Sequence, residues 1–308
     1  MLMKAQTLKS DVLLLITATI WGFAFVAQRM GMEFVGPFTF NGVRFALGSL
    51  SLLPLIYFMN RRKQEAVPES TRRADIKLFL IGGSFAGLTI FLGASLQQAG
   101  LVYTTAGKAG FITGLYVVIV PLMGLFWRLR PSSGTWIGAA LAAVGLYFLS
   151  VSEEFTIAFG DLLVLIGAFF WAGHVLILGW LSPKTDAVKL ASFQFAICSV
   201  LSLVTAAFVE TVTLDGLYQG AMPILYGGLG SVGVAYTLQV VAQKDAPPSH
   251  AAIILSMEAV FAAIGGWIIL DETLSGRGIA GCMLMLTGML LSQIQAYISE
   301  RKLGQLKG

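Results

Sequence analysis

Charged side chains make up only 12% of these 308 residues, too few to cover a soluble surface, while 56% of the residues are hydrophobic. Mean hydropathy is +0.81. Histidine is nearly absent: only His174 and His250 occur, and neither has a metal-ligand partner at a recognisable spacing. A membrane-embedded enzyme would need a nucleophile with a base, or a metal cluster, and neither can be read here. No cofactor motif is present. The two cysteines, Cys198 and Cys282, stand singly inside apolar runs, at no spacing that suggests a metal or a disulfide; they read as reduced packing residues. The net charge of +4 is placed by topology, as shown below, and implies no nucleic-acid partner. Glycine, by contrast, is plentiful. Its 35 copies are spread through the apolar segments, and Gly83/Gly87 and Gly110/Gly114 have the small-xxx-small spacing that lets helices approach closely in lipid.

The chain also reads twice. Shifted by 150 positions, the segment from Asp11 to Gly22 lies ungapped on Asp161 to Ala172, and six of twelve positions match, Asp11/Asp161 and Trp21/Trp171 among them. At a slightly shorter shift Ile81-Gly82-Gly83 meets Tyr226-Gly227-Gly228, and Gly138…Gly145 meets Gly281…Gly288. The halves divide at 1–152 and 153–308. Two copies of a membrane-embedded unit are a common plan of secondary transporters, with the site at the repeat interface.

A helix needs about 20 residues to cross a hydrocarbon core of about 30 Å. Ten such runs occur, near 11–29, 37–59, 78–97, 107–127, 134–151, 161–180, 190–209, 221–241, 250–270 and 277–297. The polar Gln97-Gln98 pair and the Tyr103-Thr104-Thr105 turn mark the end of the third run. Pro68, Pro131, Pro183 and Pro247-Pro248 fall between runs as breakers. Five spans per repeat is an odd number, so the second copy must be inverted. With the N-terminus inside, sixteen of the twenty Lys and Arg fall on inner segments: Lys4, Lys9, Arg61, Arg62, Lys63, Arg72, Arg73, Lys77, Arg128, Arg130, Lys184, Lys189, Lys244, Arg301, Lys302 and Lys307. The positive-inside rule then places both termini in the cytoplasm. The outer loops are acidic, with Glu153, Glu154, Glu210, Asp215, Asp271 and Glu272. The basic loop from Arg61 to Lys77 could bind anionic lipid, but topology alone accounts for it. Lys4 and Lys9 ahead of an apolar run imitate a signal peptide. The internal counterpart from Asp161 marks the first run as a retained helix. The fold class expected is all-α, ten transmembrane helices in two inverted five-helix repeats, embedded in a lipid bilayer.

Several motifs in order resemble the drug/metabolite transporter superfamily, and within it the EamA-type exporters. They are Ile20-Trp21-Gly22-Phe23 with its echo Phe170-Trp171-Ala172, Asn41-Gly42-Val43-Arg44-Phe45, and the run from Phe111 to Pro121. The second half adds Ser256-Met257-Glu258-Ala259-Val260-Phe261, then Asp271-Glu272-Thr273-Leu274 and Gly281…Gly288. The family often has Pro where this chain has Ala259, and Glu after the fourth helix where this chain has Arg130. The resemblance implies a central cavity lined by helices one, three, four, six, eight and nine, and export of small polar metabolites such as amino acids by alternating access. It also implies a multi-pass protein of the plasma membrane, the inner membrane of a bacterium. A multidrug or cation efflux carrier of the same fold, and a channel, stay open beside it. The expected partners are a small-molecule substrate and lipid, with protons a candidate coupling ion and the protein a monomer or weak dimer.

Depth along each helix, at about 1.5 Å per residue, selects the candidate site. Trp21 and Trp171 each lie ten residues into their helices from opposite sides, roughly 15 Å deep, and Tyr116 reaches the same level. Interface belts lie at membrane edges, so these rings either line a cavity or pack between helices. Glu258 falls in the inner half of the bilayer, where a carboxylate costs at least a few kcal/mol unless it faces water or a partner, or is protonated. His174 comes out at nearly the same depth, with Tyr236 and Gln239 close to it. A His174/Glu258 pair suits a substrate ammonium or a coupling proton; a Glu merely bonded to backbone at an irregular helix, and a packing histidine, are the plainer readings. Arg44 is expected to snorkel toward the outer surface in a structural or gating role. Lys108, at the outer mouth of helix four, either draws in anions or caps an extracellular end.

Overall fold

A computed structural model of the chain describes residues 2–62, 69–127, 133–150, 157–244, 246, 251 and 254–305. The described residues form an all-helical molecule. The first half holds α1 (Leu2–Gly31), α2 (Pro37–Ser51), α3 (Leu53–Arg62), α4 (Glu69–Gly100), α5 (Ala106–Gly114), α6 (Tyr116–Met123) and α7 (Ser133–Ser150). The second holds α8 (Phe159–Leu181), α9 (Ala187–Val209), α10 (Leu214–Gln219), α11 (Ala221–Leu225), a π-helical stretch (Tyr226–Tyr236), α12 (Thr237–Ala242), α13 (Glu258–Leu270) and α14 (Gly276–Gln305).

Among the described residues, seven helical segments are long and apolar enough to cross a membrane. Three shorter apolar helices, Trp136–Leu149, Glu258–Leu270 and Gly276–Leu291, accompany them. Side chains are distributed as lipid would select. Gln28, Asn41, Arg44, Gln97, Gln98, His174 and Glu258 are buried, while Phe58, Phe85, Trp136, Phe208 and Trp267 face outward. A soluble protein shows the reverse. The chain is a multi-pass integral membrane protein.

Three runs expected as unbroken helices are interrupted. The breaks fall at Leu52, at Leu115, and at Ser256–Met257. At the second, Leu115 N–H donates to Ile112 O at 3.2 Å; at the third, Met257 N–H donates to Ile254 O at 3.2 Å. Both are tight three-residue turns that re-aim the residues following them. Gln97 and Gln98 mark the end of the third helix to within three residues. They lie inside α4 and are buried, because they hydrogen-bond into the bundle; the helix ends at Gly100, ahead of the expected turn. Pro183 breaks the chain as expected, in the 3-10 turn Ser182–Lys184. Lys63, Pro68, Arg128, Arg130, Pro131, Glu153, Glu154, Pro247, Pro248, His250 and Lys307 lie outside the described residues.

Packing partners come in couples. Helix α1 packs on α13 and α8 packs on α5 and α6; α2 packs on the π-helix and α4 on α9; α1 also packs on the π-helix and α8 on α4. Exchanging the two halves turns each contact of a couple into the other. Three further contacts, α2 with α9, α5 with α13 and α7 with α14, map onto themselves. The small-xxx-small glycines sit at such contacts: a Cβ on Gly83 would meet the Phe193 ring at 2.7 Å, and one on Gly87 would meet Ile197 at 2.6 Å.

Candidate functional site

Among the described residues, a small central cavity of about 40 Å³ lies between the helices, with polar side chains on its wall. Trp21, Tyr116, Trp171, His174, Tyr236, Gln239 and Glu258 all line it, so every substrate-contact candidate chosen from the sequence converges there. Arg44, Gln28, Gln97, Thr113 and Ser231 join them. The lining therefore draws on all six helices that the resemblance implies, and on α2 as well.

Each position follows from local structure. Gly22 lets α1 lie directly on α13: a Cβ there would collide with Phe261 and meet Glu258 O at 2.9 Å. The neighbouring Trp21 turns to the π-helix, where its indole N–H donates to Ser231 O at 3.4 Å. Tyr116 opens α6 just after the Leu115 break, and Glu258 opens α13 just after the Ser256–Met257 break. Helix interruptions thus place both polar groups at the cavity.

Tyr236 is the aromatic hub. Its ring centroid lies 4.5 Å from that of Trp21, 6.0 Å from Trp171, 5.7 Å from Phe195, 6.1 Å from Phe45 and 6.4 Å from His174. The rings are tilted or edge-on, the arrangements that aromatic quadrupoles favour. Gln97 is the polar hub. Its Nε2 donates to Gln28 Oε1 at 3.0 Å, and its Oε1 accepts from Trp171 Nε1 at 2.9 Å and from Thr113 Oγ1 at 3.4 Å. Residues of α1, α4, α5 and α8 are tied together through that one amide.

Three polar atoms on the lining are left over. Gln239 Oε1 is buried with no hydrogen-bond partner among the described residues, and the Tyr116 hydroxyl and Glu258 Oε1, which adjoin each other, have no other partner there. An unpaired buried acceptor costs about 1–3 kcal/mol, so such atoms around one cavity ask for a donor-bearing occupant or water.

Two expected relationships are corrected. His174 does not pair with Glu258: its Nε2 shares a hydrogen bond with Gln194 Oε1 of α9 at 3.1 Å. Arg44 does not snorkel outward. It is 2% exposed, with Nε donating to Asn41 Oδ1 at 2.9 Å and the guanidinium carbon 4.9 Å from the Phe45 ring centroid. Lys108 stays outside the cavity. It forms an ion pair with Asp161 Oδ2 at 3.4 Å, and Asp161 also accepts from the Thr104 hydroxyl. Sequence reading missed Gln28, Gln97 and Thr113, and the only available signal was an amide or hydroxyl inside an apolar run.

The EamA-like transporter family model matches residues 8–151 and again residues 158–293. An uncharacterized transporter of Archaeoglobus fulgidus is 31% identical over 291 residues, covering 94% of this chain and 87% of its own. The uncharacterized transporter YoaV of Bacillus subtilis is 25% identical over 281 residues, covering 89% and 92%. A protein of known crystal structure, 16% identical, superposes with a TM-score of 0.66 over 94% of this chain and 98% of its own, a likeness of fold.

Proposed function

The chain belongs to the EamA-like transporter family, and from that premise we propose that this membrane transporter exports small polar metabolites, amino acids foremost, by alternating access through the central cavity. Ten transmembrane helices form two inverted five-helix repeats, 1–152 and 153–308, with both termini in the cytoplasm and the protein in the plasma membrane. The exchangeable packing couples and the placement of basic residues support that arrangement.

The observation that carries the substrate reading is the cluster of Glu258 Oε1, Gln239 Oε1 and the Tyr116 hydroxyl, buried oxygens that no other described residue partners. An ammonium brings three N–H donors and a charge that Glu258 can neutralise. Trp21, Trp171 and Tyr236 offer an apolar wall for the rest of the molecule. Glu258 alternatively carries a coupling proton, which the same geometry serves.

Reconstituted into vesicles, the protein should exchange labelled amino acids saturably, with counter-flow. Counter-flow separates a carrier from a channel. Failure to exchange any amino acid, alongside transport of organic cations, would replace this reading with cation efflux.

A further inference from the structure

Among the described residues Arg44 is the buried cation on the cavity wall, and its partners leave its charge unanswered. Nε donates to Asn41 Oδ1 at 2.9 Å, and the guanidinium carbon lies 4.9 Å from the Phe45 ring centroid and 5.5 Å from that of Phe40. Those contacts are an amide and two rings. No acidic side chain among the described residues comes within 4 Å of it; the ion pair found there is Lys108 with Asp161. An unpaired charge inside a bilayer is costly and is kept where it meets an ion or a substrate. Glu258 lies on the same cavity without an ion pair of its own, and Tyr236 stands within electrostatic reach of both. One cavity therefore holds a guanidinium and a carboxyl group that no ion pair joins.

Resting on the amino-acid reading above, we propose that Arg44 binds the substrate carboxylate, so that the site takes small zwitterions: a carboxylate on the Arg44 fork, an ammonium among Glu258, Gln239 and Tyr116, and a side chain against the aromatic wall. A guanidinium presents paired N–H donors that match a carboxylate, which makes this contact geometric as well as electrostatic. Closing the substrate between the two charges satisfies both at once. An amine without a carboxylate leaves Arg44 unanswered, and an acid without an amine leaves Glu258 unanswered. The site thus discriminates by the cost of the group left bare.

The test is binding to the purified full-length protein, by calorimetry, of two ligand sets: leucine, leucinamide and isocaproate, and phenylalanine, phenylalaninamide and hydrocinnamate. The amino acid should bind the wild type at least about tenfold more tightly than either truncated analogue. In Arg44→Gln the preference for the amino acid over its amide should vanish, while in Glu258→Gln that preference should persist. Arg44→Lys should retain part of it. If amides bind the wild type as tightly as amino acids, the assignment of Arg44 is overturned and the carrier reading stands. An Arg44→Gln protein that still prefers the acid overturns it too. If no ligand of either set binds, the amino-acid reading and the zwitterion site fall together. Should Arg44→Gln not fold, the wild-type comparison alone decides.

Discussion

Gly145 of α7 lies so close to Gly281 of α14 that a Cβ on Gly145 would meet Gly281 O at 2.6 Å. Seven positions away the relation returns with roles reversed: a Cβ on Gly288 would meet Gly138 O at 2.5 Å. Gly138 and Gly281 are repeat equivalents, as are Gly145 and Gly288, so the two contacts are one contact seen from each half. The carbonyls involved are backbone and cannot swing away.

Gly145→Leu should therefore lower the yield of folded protein, overpacking costing about 1–3 kcal/mol. Substrate affinity in the surviving fraction should be unchanged, because no described residue of α7 or α14 lines the cavity. Size-exclusion profiles with ligand titration check this, and reduced affinity in a monodisperse sample would contradict it.

Glu210 and Glu272 close helix beginnings that belong to the other half. Glu210 accepts from the amides of Phe38 and Thr39, both at 2.8 Å, and Glu272 from those of Ala106 at 2.8 Å and Gly107 at 3.0 Å. Free N–H groups and the helix dipole both favour a carboxylate there. Glu210→Ala and Glu272→Ala should each lose about 0.5–2 kcal/mol, the usual scale of a lost cap, read as a lower melting temperature in detergent. An unaltered melting temperature would show these caps to be dispensable.

Trp171→Phe keeps a ring beside Tyr236 and deletes the donor to Gln97 Oε1. Hydrogen bonds between membrane helices average about 0.6 kcal/mol, so stability should fall slightly. Trp171→Ala and Trp21→Ala should weaken substrate binding with the protein still folded. Unaltered affinity in the folded fraction would make the rings packing elements only.

Glu258→Gln preserves shape and removes the cost of burying a carboxylate, so the protein should be as stable as the wild type or more so. Transport of an amine-bearing substrate should collapse. Survival of counter-flow with loss of gradient-driven accumulation would assign Glu258 to proton coupling, and loss of both to ammonium binding. Normal gradient-driven transport would remove it from the site.

Reporter fusions after Lys63 and after Glu153 should give opposite signals, since the basic residues put the first inside and the second outside. Equal signals would contradict ten spans.

The all-helical, membrane-spanning character and the converging aromatics were legible because lipid imposes a length on every spanning helix and Trp21 and Trp171 sit at matching positions of two similar runs. The partners of the polar residues were not. Depth alone placed His174 level with Glu258, but rotation about the helix axis decides contact, and it turns His174 toward Gln194. Arg44 was misjudged for a related reason. A residue six positions into a helix can reach the surface, and only the packing of α2 against its neighbours shows that it turns inward. The break at Leu115 carried no proline or charge to announce it, and at Ser256–Met257 the adjoining Glu258 was the signal.

The surroundings of Arg44 bear on how the chain is made. Asn41, Phe40 and Phe45 all belong to α2, three and four positions before the arginine and one after it. A charge entering the hydrocarbon layer during synthesis costs about 2.5–3.5 kcal/mol at the centre of a helix. These contacts close as soon as α2 is helical, before the ribosome has produced α8, α9 or α13. The segment brings its own shelter for the cation into the membrane, and the later helices only complete it.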